Sequence, residues 1–307
     1  MAFFMKKSRS NSERKSENIV QDINALMLDK DKNIIYHVER PPGMLVTEAC
    51  KGQVYFARAG KVIKDKVVLY AHHTNDGKIT KSVARQLENW NDCGWPVVVV
   101  DSTPEELPWP DYITLIRKPN IGSDFGSWSV GLHTMPHLYD IKKILFANSG
   151  VVGPFWSFSN LLRDFEETEK DVWGLTTNSD IDWHIQTYWF GFSNGALRRE
   201  PMKDFWEGVK LQPTKAHIIV AYEVGMSRLI RKEGWSTRVV YPFQAVGVAS
   251  GVDTGTYNWD RLLDMGLPFV KRRVLNWNGW RMVRKIEEYG KDAVELATEG
   301  MSETLSA

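Results

Sequence analysis

The sequence has only two cysteines, Cys50 and Cys93, set far apart along 307 residues. That scarcity excludes a disulfide framework and a cysteine-based zinc site, and makes a reducing compartment the simpler expectation. The chain also has no run approaching the roughly 20 apolar residues that span a bilayer. Its first five residues, MAFFM, are apolar too briefly before Lys6-Lys7 to form a signal-peptide core. Charge of one sign is missing as well: the net charge is +1, so nothing demands nucleic acid as a partner. The expectation is a cytoplasmic protein, with peripheral contact at the inner face of the plasma membrane left open.

What is present is ordinary for a globular chain: 43% apolar and 25% charged residues. The length suits one large domain or two small ones. Tryptophan is abundant, 13 beside 10 Tyr and 13 Phe. Such rings stack on sugars but also fill cores, and composition alone favours the core.

Residues 1–18 include the polar, Ser-rich stretch KKSRSNSERKSEN and read as a disordered basic tail. Residues 19–65 hold an expected short helix at Ile19–Met27 and strands at Asn33–Val38 and Gln53–Ala57, but no evident chemistry. Regular structure is expected over 66–275. Val67–Ala71 and Val97–Val100 are continuous apolar runs, as in strands buried on both faces. Tyr112–Ile116, Lys143–Ala147, Val172–Thr176 and Thr187–Phe192 supply further strands. Helices are expected at Ile79–Asn91, Ser127–Leu138, Phe155–Glu167, Lys215–Lys232 and Asn258–Met265. The alternation means βαβ units and a largely parallel sheet, with ligands beyond the carboxyl ends of the strands. Residues 276–307 read as a helical C-terminal tail, frayed and loose at its end.

The third strand runs into Asn120-Ile121-Gly122-Ser123-Asp124-Phe125-Gly126. Two glycines let the backbone approach a ligand, Asn120 and Asp124 bring an amide and a carboxylate, and a helix N-terminus follows. The competing reading is a plain N-cap by Ser123 or Asp124. Four other segments give context. Strand 143–147 ends in Asn148-Ser149-Gly150 and then Gly153-Pro154. His184, Gln186 and Tyr188 share one face of an extended segment. Glu223, in Tyr222-Glu223-Val224-Gly225, falls at the shoulder of a helix's apolar stripe, where burial would raise its pKa. Pro268-Phe269-Val270-Lys271-Arg272 closes the series.

In this order the segments NIGSD, ANSG…GP, HIQTY, YEVG and PFVKR resemble the rhamnan synthesis F family of bacterial polysaccharide glycosyltransferases, over roughly residues 66–275. The resemblance implies an α/β fold of GT-A-like, Rossmann type: a mostly parallel sheet flanked by helices, with a helical C-terminal extension. It implies transfer of a sugar, rhamnose by the family's name, from a nucleotide-sugar donor to a glycan or lipid-linked glycan acceptor, with inversion. Glu223 and Asp124 are then the catalytic candidates, Glu223 for base work and Asp124 for the donor. Asn120, Gly122, Asn148, Ser149, His184, Gln186, Tyr188 and Lys271 are candidate substrate contacts. His72, His73, Asn75 and Asp101, at the ends of the first two strands, are candidate nucleotide contacts.

The turn after the fourth strand departs from the family, which places an acid there. Asn148-Ser149-Gly150 is a poor donor set for Mg²⁺ or Mn²⁺. Three readings follow: Asp124 holds the metal with other groups; Lys/Arg and a helix N-terminus replace the metal; or the chain binds a glycan or nucleotide sugar without turnover. A hydrolase using His72, His73 and Asp76 is a further rival. The stretch 271–285 carries six basic residues with Trp277 and Trp280. It reads as a solvated face with both rings docked on the core, or as a membrane-surface contact.

Overall fold

The computed structural model describes residues 43–305 apart from Val248 and Ser250. The basic tail and the elements expected at Ile19–Met27 and Asn33–Val38 lie outside the described residues.

A short helix, α1 (Val46–Ala49), and an edge strand, β1 (Tyr55–Arg58), precede the regular pattern. There follow β2 (Lys66–His72), α2 (Lys81–Asp92), β3 (Val97–Asp101), β4 (Thr114–Arg117), α3 (Ser123–Thr134) and β5 (Lys143–Asn148). Next come β6 (Val151–Val152), α4 (Ser159–Glu167), β7 (Val172–Asn178), β8 (His184–Ile185), β9 (Trp189–Ser193) and α5 (Glu200–Glu207). The long helix expected at 215–232 is built in three parts: α6 (Lys215–Ile218), a π-helical stretch (Ile219–Val224) and α7 (Gly225–Lys232). The chain continues through β10 (Thr237–Tyr241), α8 (Phe243–Val246), α9 (Thr254–Tyr257), α10 (Trp259–Asp264), β11 (Val270–Lys271), α11 (Arg272–Ile286) and α12 (Lys291–Leu305).

The main sheet has the order β1-β4-β3-β2-β5-β9-β7-β10, with β8 added on β7. Strands β4, β3, β2 and β5 are parallel; β9 runs antiparallel to both β5 and β7; β10 is parallel to β7. The apolar runs earn their central places because both faces are covered. On β2, Val67, Leu69 and Ala71 enter one core with Trp128 of α3 and Trp206 of α5. Val68 and Tyr70 enter the other, with Trp90 of α2 and Phe165 of α4. Eight of the 13 tryptophans, at 90, 95, 109, 128, 173, 189, 206 and 259, are buried, so most of this residue's abundance serves packing.

Several boundaries differ from the sequence expectation. Helix α3 starts at Ser123, because Gly126, Ser127, Ser129 and Gly131 blur the apolar spacing that would reveal its first turn. Helix α4 starts at Ser159, since the Phe155 N–H is tied to the Pro268 carbonyl. Strand β10 was not expected. The C-terminal helix is docked rather than frayed: Ala293, Leu296 and Ala297 are buried in a third core with Met282 and Ile286. Lys81 and Arg85 of α2 pair with Glu295 and Asp292 of that helix.

Candidate active site

The parallel strands end on one edge of the sheet, and the groups singled out in the sequence gather there in two sets. The first is built on α3. Its N-cap is Gly122, at φ +82°, with no side-chain cap bond, so neither Ser123 nor Asp124 serves as the cap. A Cβ on Gly122 would lie 2.7 Å from Cγ2 of Val46, so glycine is required by conformation and by contact with α1. Asp124 is thereby left to face β5, where Nδ2 of Asn148 donates to its Oδ2 at 2.9 Å. Burial pushes Asp124 up to about 6, against the pull of Lys215, Asn148 and Lys118. Lys118, itself lowered to about 8 by burial, donates to the carbonyls of Pro119 and Ile121 and braces the loop.

The nucleotide candidates divide. His72 and Asp101 are buried and bond each other at 3.1 Å, and Asp101 also accepts from the Thr103 N–H. Both are spent inside the protein, with no face for a ligand. Outside it, His73 Nε2 lies 2.9 Å from Asn75 Oδ1 and 3.2 Å from Asn120 Nδ2. His73, Asn75 and Asn120 therefore form one exposed polar network. Asp76 bonds Thr74 and the Lys78 N–H. The His72–His73–Asp76 arrangement imagined for a hydrolase is not assembled.

The second set surrounds Glu223. The π-helical stretch presents its carboxylate to His184 Nε2, 3.3 Å away, and to the hydroxyl of Thr187, which donates at 3.0 Å. His184 Nδ1 donates to the Asp182 carbonyl at 2.8 Å. Burial alone would raise Glu223, but the hydrogen bond and charge of His184, with Lys271 and Thr187, bring it below the usual range. The expected raised pKa is thus reversed. Burial likewise opposes the charge on His184, yet Glu223 lifts it above the ordinary histidine value. Arg228 and Arg231 both donate to the Asp182 carboxylate at 2.8 Å, beside the carbonyl that holds His184.

The shared face of His184, Gln186 and Tyr188 is also revised. Extended structure stops at Ile185, and the turn that follows brings Thr187, not Gln186, beside His184 on Glu223. Gln186 Oε1 and Tyr188 Oη lie 2.8 and 2.9 Å from Thr176 Oγ1. Gln186 Nε2 donates to Asp253 at 3.0 Å.

Asp253 was missed by sequence reasoning, although, within the small, Gly-rich run AVGVASGVDTGT at 245–256, it stands as an N-cap residue type at the start of a helix. It accepts from the Thr256 N–H and hydroxyl, from Lys271 Nζ at 3.1 Å, and from Arg273. Burial raises its pKa, but Lys271 and Arg273 hold it far below the carboxylate range. Lys271 is thus engaged by a protein carboxylate, with its ammonium 5.8 Å from the Tyr188 ring. Gly255 allows this approach, since a Cβ there would lie 2.8 Å from Lys271 Cε.

A divalent cation does not fit the donors at the β5 turn. Asn148 uses its amide N–H on Asp124 and its Oδ1 on the Gly150 N–H. The Ser149 N–H bonds the Ala71 carbonyl. Asp124 is the one carboxylate in this turn network, and among the described residues no three His, Cys, Asp or Glu groups converge as metal ligands. The basic helix α11 differs from expectation too: Trp280 is 74% exposed rather than docked. Among the described residues, no helix is long and apolar enough to cross a membrane.

Comparison with known proteins finds several similarities. The virulence protein VirA of Vibrio anguillarum is 25% identical over 207 residues, covering 56% of this chain. The match spans 66% of VirA, just under two thirds of its length. A glycosyltransferase involved in glycosylation of the major capsid of PBCV-1 has a TM-score of 0.37 at 14% identity, over 74% of this chain and 100% of that one. The mannosyltransferase Ktr4p of S. cerevisiae has a TM-score of 0.30 at 11% identity, over 67% of this chain and 71% of that one. Residues 107–306 match the family described as rhamnan synthesis protein F, well over half of the sequence, and the chain belongs to that family.

Proposed function

We propose that the chain is a GT-A-like glycosyltransferase that moves a sugar, rhamnose by the family's name, from a nucleotide-sugar donor to a surface-polysaccharide acceptor with inversion. One observation carries the reading. Glu223 is an anionic, largely enclosed carboxylate fixed by His184 and Thr187, within electrostatic reach of Asp124, Asp180 and Lys271. Titratable groups driven apart in this way at the carboxyl edge of a parallel sheet are what proton-coupled transfer needs.

The roles follow from charge. The acceptor oxygen bonds to the anomeric carbon, and its proton passes to Glu223. The bond from that carbon to the donor's phosphate oxygen breaks, and its electron pair leaves on the diphosphate. Asp124, protonated more readily than an ordinary carboxylate and held in place by Asn148, binds a donor-sugar hydroxyl. His73, Asn75 and Asn120 are placed to meet the base or ribose. The exposed Trp280, with Arg281 and Arg284 on the same helix, suits brief contact with an anionic membrane bearing a lipid-linked acceptor.

The deciding experiment incubates the chain with a panel of nucleotide sugars, with and without glycan acceptor, and measures nucleoside diphosphate release. Acceptor-stimulated release with one donor is expected, reduced by about 100-fold or more in Glu223→Gln. A Glu223→Gln protein at full rate removes Glu223 as base. Donor binding without release, whatever the acceptor, makes the chain a binding module.

A further inference from the structure

We propose that Asp182 is a positioning residue for the reaction: clamped by Arg228 and Arg231, it holds the His184 ring in the orientation that keeps Glu223 ready to take a proton. This rests on the reading of Glu223 as base and names what aims it.

The clamp is one helix gripping one loop. Helix α7 continues directly from the π-helical stretch that carries Glu223. Arg228 and Arg231 stand three residues apart on α7 and share a face. Both donate to the same oxygen of Asp182, each at 2.8 Å. The other carboxylate oxygen accepts the Trp183 N–H at 2.8 Å. Arg231 also lies over the Trp183 ring, 5.8 Å from its centroid. One residue before Arg228, the buried Ser227 hydroxyl accepts the Ile185 N–H at 3.0 Å. The link from β7 to β8 is thus pinned on both sides of His184 by the helix that presents Glu223.

The pinning reaches the ring through one peptide unit. The Trp183 N–H and the Asp182 carbonyl lie at opposite edges of the same planar group, so fixing the first aims the second. A carbonyl only accepts, so its 2.8 Å contact with Nδ1 keeps a proton on that nitrogen. Nε2 then meets the Glu223 carboxylate at 3.3 Å, favourably only when it is protonated too. A free ring would escape by moving its one proton to Nε2 and turning Nδ1 to water. The clamp bars that escape, so the ring stays cationic and the carboxylate anionic as a pair. Burial opposes the charge on Asp182, yet both arginines and the Trp183 N–H bring it down to about 2, so it is ionised whenever His184 titrates. Asp180, on the same loop, is the other acid felt by the ring.

Nitrogen-15 NMR of the full chain with labelled histidines, followed through pH, reads the ring directly, and His184→Gln identifies its signals among seven histidines. Above its midpoint the wild-type ring is expected as the Nδ1–H form. In Asp182→Ala and in the double variant Arg228→Gln/Arg231→Gln, the Nε2–H form should appear and the midpoint fall by about half a unit or more. The double variant discriminates, because losing two positive charges with the ring unmoved would raise the midpoint. Asp182→Asn keeps an oxygen for the Trp183 N–H and should stay nearer the wild type than Asp182→Ala. Acceptor-stimulated nucleoside diphosphate release should fall about tenfold in kcat in the two clamp variants, with donor KM within about twofold. Circular dichroism melts confirm folding, and the single arginine variants give the same signs at smaller size if the others do not fold. An unchanged tautomer, or a midpoint that rises in the arginine variants, overturns the clamp. A wild-type kcat beside an altered tautomer overturns its part in the reaction. If the wild type releases nothing from any donor, the reading of Glu223 as base falls, and the ring signals still decide the clamp.

Discussion

Nε2 of His184 lies 3.3 Å from Oε1 of Glu223 while Nδ1 of the same ring donates to the Asp182 carbonyl. With Nδ1 committed as a donor, the Nε2–Oε1 contact is attractive only when the pair holds one more proton. His184 therefore titrates above the ordinary histidine value, and Glu223 below the ordinary glutamate value. The raised histidine stabilises the fold below about 6.5, its unfolded value, and loses that contribution as pH rises through its folded pKa. The depressed glutamate stabilises it above about 4.3 and loses that contribution as pH falls. The pair is strongest between these limits. Histidine ring NMR should show the His184 midpoint dropping in Glu223→Gln; an unmoved midpoint would refute the pairing.

Asp124 works against the fold. Its pKa of about 6 means that its contribution is fully present below the ordinary aspartate value and is lost as pH rises through 6. Asp124→Asn should stabilise the chain by about 1–2 kcal/mol at pH 8, after allowance for partial solvent screening. The gain should vanish near pH 4, and donor-dependent turnover should fall throughout. Urea melts at the two pH values decide it, and a variant less stable at pH 8 contradicts the argument.

Asp253→Asn leaves Lys271 and Arg273 facing each other without their counter-charge. A loss on the order of 3 kcal/mol is expected, as for an enclosed pair deprived of one partner. The wild type should shed the same stability in acid, below about pH 4, as Asp253 gains a proton despite its depressed pKa. Equal urea midpoints for wild type and variant at neutral pH would show that the cluster contributes nothing.

Gly122→Ala combines two faults, a left-handed backbone at φ +82° and a Cβ 2.7 Å from Val46 Cγ2. The cost should be about 1–3 kcal/mol. Adding Val46→Ala removes the collision but not the backbone strain, so a double-mutant cycle should recover only part of the loss. Simple additivity of the two changes would place the strain entirely in the backbone.

Much of the scaffold was readable because β2, β3 and β5 are buried on both sides and appear as unbroken apolar runs. Strand direction is not written in such runs. Thr187–Phe192 carries strand residues, but only the short link from β7 to β9, too brief for a crossover, makes it antiparallel. Strand β10 escaped because its burial is partial and its pattern irregular. At the site, the segments around Asp124, Asn148 and Glu223 stood out as motifs. Their partners did not: Thr187 reaches Glu223 only through a turn, and Asp253 meets Lys271 across 18 residues. His72 and Asp101 misled because polar residues at strand ends resemble ligand contacts, and their inward pairing is a tertiary fact.

The π-helical winding of Ile219–Val224 sets the aim of Glu223 by counting residues. Such a stretch is an α-helix carrying one surplus residue, and each residue turns a helix by about 100°. Its two ends are anchored, through the Thr214 cap on one side and buried Met226 and Ile230 on the other. Deleting one residue from the stretch would restore ordinary pitch and swing the carboxylate away from Thr187 and His184. A missing neighbour would then disable the site as thoroughly as replacing Glu223 itself, with every functional side chain still in the sequence.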